Sequence, residues 1–161
     1  MKVCILLLLL GGFLTEIDLA EVRQKYKQAY HSPEITHDLN TMLLEVSATD
    51  KPVLIGYKGA LLTLKAKHAK GIKNKKAFFK KGITFLELAI TKEPSNIEIR
   101  FLRLSVQENA PKIVGYKGNL KEDKFFIHNN YEKTKNSAVK SLITDYVASS
   151  TLFTTAEKQL Y

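Results

Sequence analysis

Apolar residues recur at three- and four-residue intervals along almost the whole chain, the period of one face of an α-helix. Leu19, Val22, Tyr26 and Ala29 form one stripe; Ile35, Leu39, Met42, Leu43 and Val46 form the next. Ser32 and Pro33 supply an N-cap and a first-turn proline for this second helix. A third is predicted from about Pro52 to Ala69, with Val53, Tyr57, Ala60, Leu61 and Leu64 inward and Gly71 as its stop. The fourth carries two adjacent apolar rows, Phe78, Gly82, Phe85, Ala89 and Phe79, Ile83, Leu86, Ile90. So wide a face predicts a central position for it.

Pro94-Ser95-Asn96 breaks the pattern, and a fifth helix follows to about Gln107. Beyond Asn109-Ala110-Pro111, Leu120 to Tyr131 and the set Val139, Leu142, Ile143, Tyr146 and Val147 predict two more. Thr154 with Glu157 three residues later is a capping-box signature for a short last helix. The short β-branched runs Val53 to Ile55 and Ile113 to Val114 have strand composition, but their helical neighbourhood decides for helix. The expectation is an all-α fold of seven to eight helices, in antiparallel pairs joined by short connections.

The N-terminus departs from this periodicity. Lys2 precedes about a dozen apolar residues ending at Leu14, whereas a membrane-spanning helix needs ~20. The run reads as a secretory signal peptide over residues 1–15, cleaved near Thr15, with a single helical domain over 16–161. The small-residue cleavage pattern is poor, so an uncleaved interfacial anchor is the competing reading. Export places the protein in a periplasm or in the medium. The one cysteine, Cys4, falls in the leader, which removes disulfides, thiolate metal sites and a cysteine nucleophile from the mature chain.

Gly82, Leu86, Ala89, Pro94 and Asn96 resemble the second half of a tetratricopeptide repeat, with a small residue, a large apolar one, an alanine and a proline-led turn. The match covers one half-repeat; the aromatic, Leu-Gly and Tyr pattern of the first half is absent. The resemblance implies a stack of helix pairs forming a tetratricopeptide-like superhelix. The chain is also similar to uncharacterised exported bacterial helical proteins. A second internal signal is the return of Pro52-Val53-Leu54-Ile55-Gly56-Tyr57-Lys58-Gly59 as Pro111-Lys112-Ile113-Val114-Gly115-Tyr116-Lys117-Gly118. Three predicted helices between the copies would put them in opposite layers of a two-layer stack. Either the helix count is off by one or one copy is loop. The copies read as packing elements or as two matched ligand clamps built on Tyr57 and Tyr116.

Enzyme constellations are nearly absent, and catalysis would need scattered residues to converge in space. His31, His37, His68 and His128 contain no pair at the i,i+4 spacing of a helical metal site, and no nucleophile elbow, phosphate loop or calcium loop is present. No cofactor or metal is implied. Charge is more informative. Lys65, Lys67, Lys70, Lys73, Lys75, Lys76, Lys80 and Lys81 lie together with no acidic residue among them. The chain holds 25 basic and 16 acidic residues; setting aside Lys2 and these eight lysines leaves 16 of each. This junction could engage an anionic membrane surface or lipid, or serve as a solvated turn. Nucleic acid is disfavoured by the leader and by the lack of arginine in the run.

In the fifth helix, Arg100, Arg103 and Gln107 share one narrow stripe within an apolar surround. Arginine's fork suits bidentate recognition of a carboxylate or phosphate. The competing assignment is an internal ion pair with Glu87, Glu93, Glu122 or Asp123. The expectation is therefore a non-enzymatic binding module that holds a protein or peptide on a concave helical face. Arg100, Arg103, Gln107, Tyr57 and Tyr116 are its candidate ligand residues, and the lysine junction is the alternative site.

Overall fold

The computed structural model describes residues 16–161, and the expected signal peptide lies outside the described residues. Among the described residues there is no strand. The elements are α1 (Leu19–Ala29), α2 (Pro33–Met42), α3 (Pro52–His68), α4 (Ile72–Lys92), α5 (Ile97–Asn109), a 3-10 turn (Lys112–Val114), α6 (Leu120–Asn130), α7 (Ser137–Ser149) and α8 (Thr155–Lys158). The protein is all-α, as the periodicity predicts.

Local chemistry sets most of the boundaries. Asp18, Ser32, Asn96, Asn136 and Thr154 each cap a helix by accepting from a backbone N–H of its first turn. Thr154 and Glu157 complete the expected capping box. Gly71 does not stop α3, whose C-cap is Ala69. It stands at the N-cap of α4 with φ 79°, a conformation that glycine adopts without strain. At the far end of α2, the buried Lys58 donates its Nζ to the carbonyls of Leu43 (2.6 Å) and Leu44 (3.0 Å), answering groups that a helix C-terminus leaves unpaired. Burial holds the Lys58 ammonium below the usual lysine value.

One apolar core runs from α1 through Phe153. Its centre is α3 rather than the predicted fourth helix: eleven residues of α3 are buried, against four of α4. Half of the wide apolar face read on α4, namely Phe78, Phe79, Phe85 and Ile83, is only partly buried. α3 is central because α1, α2, α4 and α5 all pack against it, and Gly59 and Gly82 bring the α3 and α4 backbones together. A Cβ on Gly59 would lie 2.7 Å from the Leu86 amide nitrogen and 2.8 Å from the Gly82 carbonyl oxygen. One on Gly82 would lie 2.7 Å from the Gly59 carbonyl oxygen. Gly56 meets Ala89 and Gly59 meets Leu86, so the pair is antiparallel. In the half-repeat pattern, then, Gly82 permits the crossing, Leu86 and Ala89 are fully buried, and Asn96 caps α5.

Successive pairs α1/α2, α3/α4 and α5/α6 pack together, and α1, α3, α5 and α7 touch in that order. α7 also returns to α1, joined by an ion pair between Lys27 and Asp145. In a linear solenoid each repeat contacts only its neighbours. Here the last long helix packs against the first. The recurring Pro-…-Gly-Tyr-Lys-Gly string is resolved the second way: the Pro52 copy opens α3, whereas the Pro111 copy is the 3-10 turn and loop before α6, with Gly115 at φ 66°.

Candidate functional site

The arginine stripe of α5 faces the first turn of α6. Arg103 donates from Nε to Asp123 Oδ2 (2.7 Å) and from Nη2 to Asp123 Oδ1 (2.8 Å), while its Nη1 reaches Glu87 Oε2 on α4 (3.1 Å). Arg100 donates from Nη1 to Asp123 Oδ1 (2.8 Å) and to Glu122, and from Nε to the Pro94 carbonyl (2.7 Å). Asp123 has no exposed surface, and Arg103 is 4% exposed. Burial opposes the Arg103 charge most strongly, yet the hydrogen bonds and charges of Asp123 and Glu87 together outweigh it and hold the guanidinium above its ordinary pKa. The same opposition, with the same outcome, acts on Arg100.

Tyr116 joins this network, its hydroxyl donating to Glu87 Oε1. Burial and the neighbouring Glu87 carboxylate push that phenol well up. Gln107 is completely buried one helical turn beyond Arg103; its Nε2 donates to Asn119 Oδ1 (3.3 Å), and its Oε1 has no partner. Four of the five candidate ligand residues are thus gathered around α5, with the two arginine charges answered internally. Tyr57 is not among them. It is fully buried, and its hydroxyl donates to Glu98 Oε1 (2.6 Å) in a separate cluster. There Arg23 grips Glu98 with Nε (2.7 Å) and Nη2 (2.8 Å). Tyr57 and Tyr116 therefore do not form matched clamps, because one copy of their motif is helix and the other loop. Arg23 and Glu98 were missed in the sequence. The available signal was an arginine beside the Val22 and Tyr26 stripe and a carboxylate in the first turn of so apolar a helix.

A concavity lies elsewhere. A groove of about 1250 Å³ opens where the C-terminal ends of α1, α3, α5 and α7 meet the N-terminal half of α4 and the loop after α5. Leu64, Phe101, Val106 and Leu142 contribute apolar surface to it, as do the partly buried Phe79 and Ile83. Ile72, Ile113 and Val114 line it as well and are 72%, 95% and 40% exposed. None of the five candidate ligand residues lines it.

The lysine junction divides over this groove. Lys67, Lys75, Lys76 and Lys80 line it, whereas Lys65, Lys70, Lys73 and Lys81 do not. α4 begins at Ile72, so most of these lysines stand on helix rather than on a loop. Lys65 is occupied, donating to Asn40 Oδ1 (2.9 Å), and Lys67 donates to the Tyr30 carbonyl (3.0 Å) while lying over the Tyr30 ring. The two carboxylates in the groove are satisfied: Asp145 pairs with Lys27, and Glu108 accepts from Tyr146, Ser150 and Thr151. Burial raises the Glu108 pKa, but those donors outweigh it and hold the carboxyl below the usual range.

No group of three or more metal-ligating side chains comes together among the described residues, and no described helix is long and apolar enough to cross a membrane. Comparison with family models, curated proteins and solved structures finds no match for this chain.

Proposed function

We propose that this chain is an exported, non-catalytic binding module that holds a protein or peptide segment in the groove between α4 and the C-terminal ends of α1, α3, α5 and α7. One observation carries the reading: a groove of about 1250 Å³ lined by apolar side chains interspersed with lysines, with large apolar side chains exposed at Ile72 and Ile113. Single exposed apolar residues are ordinary, but apolar side chains gathered with a few polar groups in one concavity are the usual form of a recognition site. The arginine stripe gives scaffold support beside it, since its charges are spent on Asp123, Glu122 and Glu87.

A photocrosslinking side chain introduced at Ile113 in the producing cells tests the reading, with Leu44 as control. Both positions are exposed, and only Ile113 lines the groove. A defined protein product trapped from Ile113 alone is expected; equal trapping at both positions, or none at Ile113, removes the groove as the binding face. Intact mass of the exported form tests the compartment, with a product starting near Glu16 expected. A product retaining residues 1–15 in the cytosol would overturn export. The second reading, attachment to an anionic surface, rests on Lys70, Lys73 and Lys81, which are exposed and lie off the groove. Binding that collapses with salt and survives blocking of the groove favours it.

A further inference from the structure

The chemistry of the groove narrows its occupant. Along α4, Ile72, Lys75, Lys76, Phe79, Lys80 and Ile83 all line the opening. Their spacing is i, i+3, i+4, i+7, i+8 and i+11, a single stripe of one helix face. Apolar and basic positions therefore share one wall. Among the described residues, Lys75, Lys76 and Lys80 have no carboxylate within ion-pair distance. The groove's own acids are already taken by Lys27 and by the donors around Glu108. The stripe is an unanswered row of positive charge interleaved with apolar surface.

Size points the same way. From Ile72 to Ile83 the α4 wall runs about 16 Å, eleven steps of about 1.5 Å, so a helix laid along it is matched by about eleven to twelve residues. We infer that the occupant is an acidic amphipathic helix of about three turns, carried by the partner, which lies along α4 with its carboxylates against Lys75, Lys76 and Lys80 and its apolar stripe in the groove. This rests on the groove reading above and adds to it the sign of the partner's charge and its helical form.

The test uses the full chain and two fluorescein-labelled peptides of fourteen residues. Both have leucine at i, i+3, i+4 and i+7; one has glutamate at the remaining positions and the other lysine. Fluorescence anisotropy should show the acidic peptide binding at least about tenfold more tightly than the basic one. The triple variant Lys75→Glu/Lys76→Glu/Lys80→Glu should reverse that preference. Ile72→Ser/Ile113→Ser, at exposed sites that leave the fold intact by circular dichroism, should weaken both peptides. Equal binding of the two peptides, both weakened by the serine pair, would overturn the acidic helix while leaving the groove reading in place. Failure of the serine pair to weaken either peptide overturns both. Displacement of the acidic peptide by phosphatidylglycerol vesicles but not phosphatidylcholine vesicles would assign the wall to a lipid surface instead. Self-association abolished by the serine pair would assign it to a second copy, and binding gained only after removal of residues 1–15 would assign it to the chain's own leader; each of these overturns the inference.

Discussion

Replacing Arg103 by alanine should be among the most damaging single changes in this protein. The side chain makes two hydrogen bonds to Asp123, at 2.7 and 2.8 Å, and a third to Glu87 at 3.1 Å. Asp123 has no exposed surface and would keep only the single bond from Arg100. Breaking a buried pair leaves a desolvated charge uncompensated, which costs about 3–5 kcal/mol. For a domain of this size each kcal/mol moves the melting temperature by about 2–4 °C, so a fall of about 12 °C is expected. The Glu87 bond adds little, because that carboxylate is 45% exposed and screened. Arg103→Lys keeps the charge but answers a two-oxygen acceptor with one ammonium, for a loss of about 1–2 kcal/mol. Arg103→Met with Asp123→Leu removes both charges and should recover most of the alanine loss, because what destabilises is the orphaned carboxylate. Urea unfolding followed by circular dichroism at 222 nm measures all three. An alanine variant within about 1 kcal/mol of the parent would refute the burial argument, as would a double variant less stable than the alanine one.

At the α3/α4 crossing, Gly59→Ala and Gly82→Ala each drive a methyl into backbone at 2.7 Å and should destabilise by about 1–3 kcal/mol or more. Gly118→Ala meets nothing within 4 Å, so urea midpoints should separate the three cleanly. Acid should weaken the fold. Glu108 is held low by its donors despite burial, Glu122 by Arg100, and Glu157 is brought down to about 2 chiefly by Lys124. These carboxyls bind protons more readily unfolded, so stability should hold above the ordinary value of 4.5 and fall as pH drops toward about 2. A flat urea midpoint across that window would contradict the assignments. At the alkaline end, burial pushes Tyr26 up to about 12 and Tyr57 well above the ordinary 10. The unfolded chain then loses phenolic protons first, so stability should decline as pH rises beyond 10, with late ionisation visible at 295 nm in the ultraviolet.

The all-α class, the caps at Ser32 and Thr154, and the need for a small residue at Gly82 were legible because they follow from short-range patterns. Arg100 and Arg103 were legible as anomalies, since a guanidinium embedded in so apolar a helix must find an anion, and Glu87, Glu122 and Asp123 were already among the possible partners. The choice between partner and ligand was not. It required α6 to place Asp123 opposite α5, a long-range pairing that no local pattern encodes. The same limit explains the two Gly-Tyr strings: they share proline, glycine, tyrosine, lysine and glycine at matching positions, yet one became helix at Pro52 and the other a 3-10 turn and loop after Pro111. The first string packs through Gly56 and Gly59 onto α4 and α5, whereas a Cβ on Gly118 meets nothing.

Sequence alone therefore determined the periodic elements, the caps at Ser32 and Thr154 and the lysine excess. Tertiary structure decided that α3 is the centre, because a backbone-to-backbone crossing can be recognised only with both helices in view. It also decided that α7 closes against α1, and that Phe79, Ile83 and half of the lysines share the wall of one groove. A periodicity reports which face of a helix is apolar. Whether that face meets another helix or an open cavity depends on where the remaining helices lie, and the packing of the whole chain sets that.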